Sequence, residues 1–126
     1  MMYLLLDTNV VLWLAGNNPR ADQIKPILLT PGNKIFISIV SWWEIAIKIR
    51  SGKLDLNFEE LYAYAQKHDF TELPLTSDCL KAYLQLPSIH KDPFDHILLA
   101  QALTYPMRFI TGDSLLADYS SLVMVI

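Results

Sequence analysis

"YLLLDTNVVLWLA", residues 3–15, is a short apolar run, an acid, and then apolar positions at helical spacing. Tyr3 to Leu6 are strand-compatible, whereas Val10, Val11 and Leu14 recur every three to four residues, as one face of a helix does. A strand that hands over to a helix this abruptly is half of a βαβ unit, and the rest of the chain repeats the pattern. "KIFIS" (34–38), "DFTEL" (69–73), "RFIT" (108–111) and "LVMV" (122–125) are four further strand-like runs. Between them, helical spacing joins Trp43, Ala46, Ile47 and Ile49, ending in the basic stretch "KIRSGK", where Gly52 is a natural helix stop. Leu61, Tyr64 and Ala65 repeat likewise, as do Leu80, Tyr83 and Leu84 up to Pro87, and Phe94, Ile97, Leu98 and Gln101 to Ala102. Strands alternating with helices predict an α/β fold, a three-layer α/β/α sandwich around a central, mainly parallel five-stranded sheet. "NNPRAD" and "LTPGNK" read as loops, with no repeat or linker between units. With 126 residues, 52% of them hydrophobic, the chain is expected to form a single domain, 1–126.

A net charge of −3 gives no general attraction for nucleic acid, so phosphate binding requires a local basic patch or a bound cation. The one cysteine, Cys79, cannot form an internal disulfide and reads as a small buried residue, which suits a reducing cytoplasm. No apolar run approaches the roughly 18 to 20 residues needed to span a bilayer, and "MMYLLLD" meets a charge too early for a signal peptide. The expectation is a soluble, cytoplasmic protein without a membrane partner.

In a doubly wound sheet the helices run antiparallel to the strands they cover, so helix N-termini gather where the strands end. Open α/β folds bind ligands at that edge. Asp7 directly follows the first strand, with Thr8 or Asn9 placed to begin the next helix. Glu44 is expected in the first turn of the helix after the second strand, in "SIVSWWEIAIK". In "HKDPFDH" (90–96), Asp92 suits a helix N-cap and Pro93 the first helical position, which puts Asp95 in the first turn. Asp113, in "ITGDSLLADY", follows the fourth strand at the head of a short helical turn. Carboxylates far apart in sequence thus converge on one edge.

Each acid also has a purely structural reading. Ser41 and Glu44 fit the S-x-x-E capping box and Asp92 and Asp95 an acidic analogue of it, Asp7 fits a cap, and Asp113 a turn. Asn57 and Glu60 share the cap spacing with no strand-end acid nearby and read as a cap alone. Jointly, however, clustered carboxylates repel, and helix N-termini recover only about 0.3 to 1 kcal/mol each. A cation in the gap resolves the repulsion.

Carboxylate donors favour a hard ion, Mg²⁺ or Mn²⁺, over zinc. His90 and His96 do not form a zinc pair, since His96 is turned about 100° around the helix from Asp95. A hard ion open to water suits phosphodiester hydrolysis by activated water. Ser41 and Ser114 have no evident histidine partner, and no G-x-G-x-x-G or Walker loop is present. Receiver-type phosphotransfer and non-catalytic binding on the same fold remain as alternatives, although Asp7 is followed by Thr8 and Asn9 rather than a second acid. Lys48, Arg50 and Lys53 could meet phosphates or serve their own helix's C-terminal dipole. Of Trp42 and Trp43, one is expected in the core, the other at a subunit interface or stacked on a base.

In this order and chain length, "LLLDTNV", "SWWEIAIK", "HKDPFDHILLAQA" and "TGDSLLADY" resemble the PIN-domain nucleases, specifically the VapC-like toxins of bacterial toxin–antitoxin pairs. The resemblance covers nearly the whole chain, with D-P-F-D followed by "LLAQA" its most specific part. It implies a PIN-like, Rossmann-like sheet. It further implies Mg²⁺ or Mn²⁺ on Asp7, Glu44, Asp95 and Asp113, and hydrolytic cleavage of single-stranded RNA. A homodimer and a small cognate antitoxin that represses the shared operon complete the implied system. Thr8, Asn9 and Asp92 would support the acids or cap helices, and Asp118 is a solvated helix residue. Two positions depart from the family pattern: His96 stands where relatives usually carry Arg, and Gly112 where they often carry something larger.

Overall fold

The computed structural model describes residues 1–88 and 92–126; His90, in the motif above, lies outside them. Five strands form one wholly parallel sheet: β1 (Tyr3–Leu6), β2 (Lys34–Ser38), β3 (Thr71–Leu73), β4 (Arg108–Thr111) and β5 (Val123–Val125), in the order β3-β2-β1-β4-β5. The helices are α1 (Thr8–Ala15), α2 (Lys25–Leu29), α3 (Ile39–Arg50), α4 (Phe58–Lys67), α5 (Ser77–Leu84) and α6 (Pro93–Thr104), with 3₁₀ turns at Pro19–Gln23 and Ser114–Asp118.

β1 occupies the middle because "LLL" has no polar face to give to solvent. Leu4, Leu5 and Leu6 are fully buried, and their alternation divides the core in two. Leu4 and Leu6 join Val10, Ile37, Trp42, Ile45 and Leu61 on one face, whereas Leu5 joins Phe109, Leu98, Leu99 and Leu116 on the other. Both faces are thus covered, as the three-layer expectation requires. Residues 96–102 of α6 are buried without a break, so that helix lies within the molecule, between the sheet and α5. Among the described residues no helix is long and apolar enough to cross a membrane.

The chain builds outward from β1 through β2 to β3 on one side, then returns to place β4 on β1's other flank. The topological switch therefore falls between β1 and β4. The crevice beyond the carboxyl ends of these two strands is where an open α/β sheet accommodates a ligand.

Several boundaries depart from the sequence reading. "NNPRAD" is not a plain loop: Asn18 accepts a hydrogen bond from the Arg20 amide and Pro19 starts the 3₁₀ turn, after which α2 forms through a second proline at its start. β3 begins at Thr71 because Asp69 has φ +57°, which no strand residue adopts. Gly52, at φ +77°, ends the chain's run out of α3 as expected. α3 itself begins one turn earlier than the Ser41–Glu44 spacing predicts. Ser38 closes β2 and caps the helix at once, its Oγ accepting from the Val40 amide, and so Glu44 stands in the second turn rather than the first.

Candidate active site

Asp7 follows β1 and caps α1. One carboxylate oxygen accepts from the Thr8 amide at 2.7 Å and the other from the Thr111 hydroxyl at 2.7 Å, while its own amide donates to the Ile110 carbonyl. Only 4% exposed, Asp7 is held rigidly at the switch point. Burial pushes its pKa up to about 6; the Thr111 and Thr8 hydrogen bonds oppose the rise, and the charges of Glu44 and Asp92 add to it.

Asp95 occupies the first turn of α6, as the sequence predicts. Asp92 is the N-cap, accepting from the Phe94 amide at 2.9 Å, and Pro93 takes the first helical position. Burial drives the Asp95 pKa up to about 8, followed by repulsion from Asp7, Asp92, Glu44 and Asp113. All five acids thus share one electrostatic neighbourhood, although they come from four separate segments of the chain.

Glu44 reaches the site from the second turn of α3. One carboxylate oxygen pairs with Lys48 Nζ at 3.0 Å; the other is buried and has no hydrogen-bond partner among the described residues. An unsatisfied buried carboxylate oxygen costs several kcal/mol in principle, and a cation is one group that satisfies it. Lys48 is engaged here, one helical turn along from Glu44, rather than serving only the helix C-terminus. Asp113 caps the second 3₁₀ turn by accepting from the Leu115 amide at 3.0 Å.

Among the described residues, no group of three or more His, Cys, Asp or Glu forms a ligand cage. The donor set nevertheless fits Mg²⁺ or Mn²⁺, which dehydrate reluctantly and take only one or two carboxylates directly, the remainder acting through water. The mutually repelling carboxylates of buried Asp7 and Glu44 and half-buried Asp95 match that demand.

The supporting residues divide unevenly. Thr8 is buried; its amide braces Asp7 and its hydroxyl donates to Ser41 Oγ at 2.9 Å. Ser41, read as a helix cap, instead ties α3 to α1. Asn9 is exposed. His96 is only 8% exposed; its Nε2 lies 3.0 Å from the Tyr119 hydroxyl, and its ring packs near Tyr83. This places it in the protein interior rather than on an RNA-facing surface. Trp42 is buried against Phe58 and Tyr62, while Trp43 is 62% exposed and meets Phe94 edge-on at 5.5 Å. Trp43 and Phe94 flank an apolar groove of about 320 Å³ with Val40, Leu75, Leu80 and Tyr83. Cys79 is buried, as expected.

Thr111 escaped the sequence reading. Its hydroxyl donates to Asp7 and accepts from the Asp113 amide at 3.1 Å, joining two acids 106 positions apart. A signal existed, because a threonine two residues before an acid at a strand end suits such a turn. Ser38 and Gln101 were also missed as a pair. Their 2.6 Å hydrogen bond, with Gln101 Nε2 donating to the Pro74 carbonyl, ties the start of α3 and the last turn of α6 to the β3–α5 connection.

Residues 4–122 match the PIN domain family. The chain belongs to that family. Solved structures with the same fold include VapBC2 from Rickettsia felis bound to promoter DNA, at TM-score 0.74 and 12% identity, covering 99% of this chain and 98% of that one. VapBC-1 from nontypeable Haemophilus influenzae aligns at TM-score 0.70 and 19% identity, covering 99% and 97%. A toxin–antitoxin complex from Klebsiella pneumoniae aligns at 0.69 and 22%, covering 97% and 96%. A search of curated proteins finds no significant match. The PIN domain here spans nearly the whole chain, so the acidic edge is the edge of the family's own sheet rather than of an appended unit.

Proposed function

We propose that this PIN domain is a Mg²⁺- or Mn²⁺-dependent endoribonuclease that hydrolyses single-stranded RNA, acting in the cytoplasm as the toxin of a type II toxin–antitoxin pair. The observation that carries this reading is the convergence of Asp7, Glu44, Asp95 and Asp113 at the β1/β4 switch point, with Asp95 held at about pKa 8 by burial and by its acidic neighbours. Such an edge cannot bind the phosphate backbone by itself, because acid repels acid.

Asp7 and Asp95 would hold the cation, with Glu44 and Asp113 completing its surroundings. Bound there, the ion supplies the charge that turns water into a nucleophile near neutral pH and offsets the charge building on the phosphate. The chain's contribution is placement. Asp7 is fixed through both oxygens, so it presents its lone pairs in one direction. Asp95 favours its protonated form near neutral pH and would ionise to hold the cation, and Lys48 steadies one oxygen of Glu44. Phosphotransfer to Asp7 is disfavoured by the same geometry, since both of its oxygens are buried and already accept hydrogen bonds.

The likeness to toxins solved in toxin–antitoxin complexes supports a small antitoxin as partner. Homodimerisation finds its support in the exposed Trp43 and the apolar groove beside it. The test is cleavage of a fluorogenic single-stranded RNA by antitoxin-free protein. Cleavage with Mg²⁺ or Mn²⁺, abolished by EDTA and strongly reduced by Asp95→Asn, is the expected result; intact RNA across a broad substrate panel refutes the proposal.

A further inference from the structure

Outside the acidic cluster, the segment that sequence alone reads as a loop makes a contact that reaches the strand end beside Asp113. Asn18 Oδ1 accepts from the Arg20 amide at 3.0 Å and fixes that residue's backbone. The Arg20 guanidinium then lies over the Trp13 ring of α1, 4.1 Å from its centroid. One nitrogen of the guanidinium, Nη2, donates to two carbonyls, Ile126 at 3.3 Å and Gly112 at 3.5 Å. Each bond is long, but the ring beneath holds the planar group in the orientation that serves both.

Gly112 lies close against the Arg20–Trp13 stack. A Cβ built there would stand 2.3 Å from Trp13 Cη2, 2.9 Å from Cζ3 and 3.0 Å from Arg20 Nη2, so no side chain fits while that stack is in place. The space that a larger residue would fill is taken by Trp13. Gly112 is also the single residue between Thr111 and Asp113. On one side Thr111 donates to Asp7; on the other the Asp113 amide donates back to Thr111. A shift in the Gly112 peptide therefore moves Asp113 and the hydroxyl that orients Asp7.

We infer that Arg20 is a positioning residue for the nuclease site, holding the Gly112 peptide against Trp13 and thereby setting Asp113 and Thr111 relative to Asp7. The inference rests on the proposed role of those acids in holding a cation. Arg20 touches none of the acids through any bond described above and acts through the backbone.

The test uses the full chain carrying Arg20→Met, which keeps the hydrocarbon stem and removes the donors, and Arg20→Lys, which keeps the charge without the planar fork. Three readouts are taken: hydrogen exchange of the Asp113 amide, Mn²⁺ binding by calorimetry, and RNA cleavage. In Arg20→Met the Asp113 amide should exchange about tenfold faster and Mn²⁺ should bind about tenfold more weakly, with kcat reduced and KM for RNA unchanged. Arg20→Lys should fall between it and wild type, and decides the matter should Arg20→Met fail to fold. Gly112→Ala should reproduce the loss by pressing on Trp13, and Trp13→Phe in the same chain, with its smaller ring, should relieve it. Unchanged exchange and Mn²⁺ affinity in the Arg20 variants would overturn the inference. So would a raised KM with kcat and metal binding intact, which would make Arg20 a phosphate contact. A wild type that binds no Mn²⁺ removes the nuclease reading, whereas Asp113 exchange still reports whether Arg20 holds the turn.

Discussion

The starts of α3 and α6 look alike in sequence and differ in the structure. Each offers a small polar residue followed three positions later by an acid: Ser41 and Glu44 in one, Asp92 and Asp95 in the other. At α6 the geometry follows the spacing, with Asp92 as cap and Asp95 in the first turn. At α3 the helix starts a turn earlier, because Ser38 at the last position of β2 is already a cap. Ser41 is thereby released to bond Thr8, and Glu44 arrives from the second turn with a buried oxygen unsatisfied. An acid at a helix N-terminus has local donors nearby to share its charge; one placed a turn deeper has Lys48 and an unmet need. The two carboxylates reach one site by different routes, and their replacements should separate accordingly.

The largest effect is expected for Asp95→Asn, which removes the carboxyl that four acidic neighbours surround. RNA cleavage should fall on the order of 10²–10³-fold, the scale of losing one preorganised electrostatic group, with native circular dichroism. Glu44→Gln retains shape and one acceptor oxygen, and should cost about 10- to 100-fold in the same assay. Equal losses for the two would erase the distinction drawn between the helix starts.

Stability against pH sharpens the contrast further. Asp7 and Asp95 have folded pKa values raised to about 6 and about 8, so above the ordinary carboxylate range the folded chain binds more protons than the unfolded one. Stability of the metal-free protein must then fall as pH rises from about 4 to about 8 and level off beyond. A melting temperature at least about 5 °C lower at pH 8 than at pH 5 is expected. Asp95→Asn should flatten the upper half of that slope, and Mg²⁺ should raise the melting temperature more at pH 8 than at pH 5.

Smaller effects distinguish the caps. Ser38→Ala removes the α3 cap and leaves the buried Gln101 Oε1 without its donor, for a loss of about 2 to 3 kcal/mol in denaturant unfolding. Ser41→Ala, which caps nothing, should cost about 1 kcal/mol through the stranded Thr8 hydroxyl. A larger loss at Ser41 than at Ser38 would restore the capping box that the spacing first suggests.

Much of the molecule was legible because its signals are local. Apolar runs broken by helical periodicity fix the five strands to within two residues, and a proline after an acid marks the start of α6. The family resemblance was legible for the same reason, each acid lying inside a short recognisable string. What escaped depends on contacts between distant segments. The start of α3 is the local exception: Ser38 and Ser41, three residues apart, are both possible caps, and the choice depends on β2 running into α3 without a loop. Nothing near Arg20 reveals Gly112, 92 residues away. His96 stands out in the sequence only as a departure from the family's usual arginine; its partner Tyr119 lies beyond β4, and only the packed fold shows the pair to be interior.

The central claim is that the acids of the β1/β4 edge act together to hold a hard cation. Calorimetric titration of Mn²⁺ into purified, antitoxin-free protein at neutral pH tests it most directly, with Asp7→Asn and Asp95→Asn measured alongside. The account predicts binding by the wild type, accompanied by proton release as Asp95 ionises, and loss of that binding in either variant while circular dichroism stays native. Equal Mn²⁺ affinity in all three proteins, or no binding by the folded wild type, would contradict it.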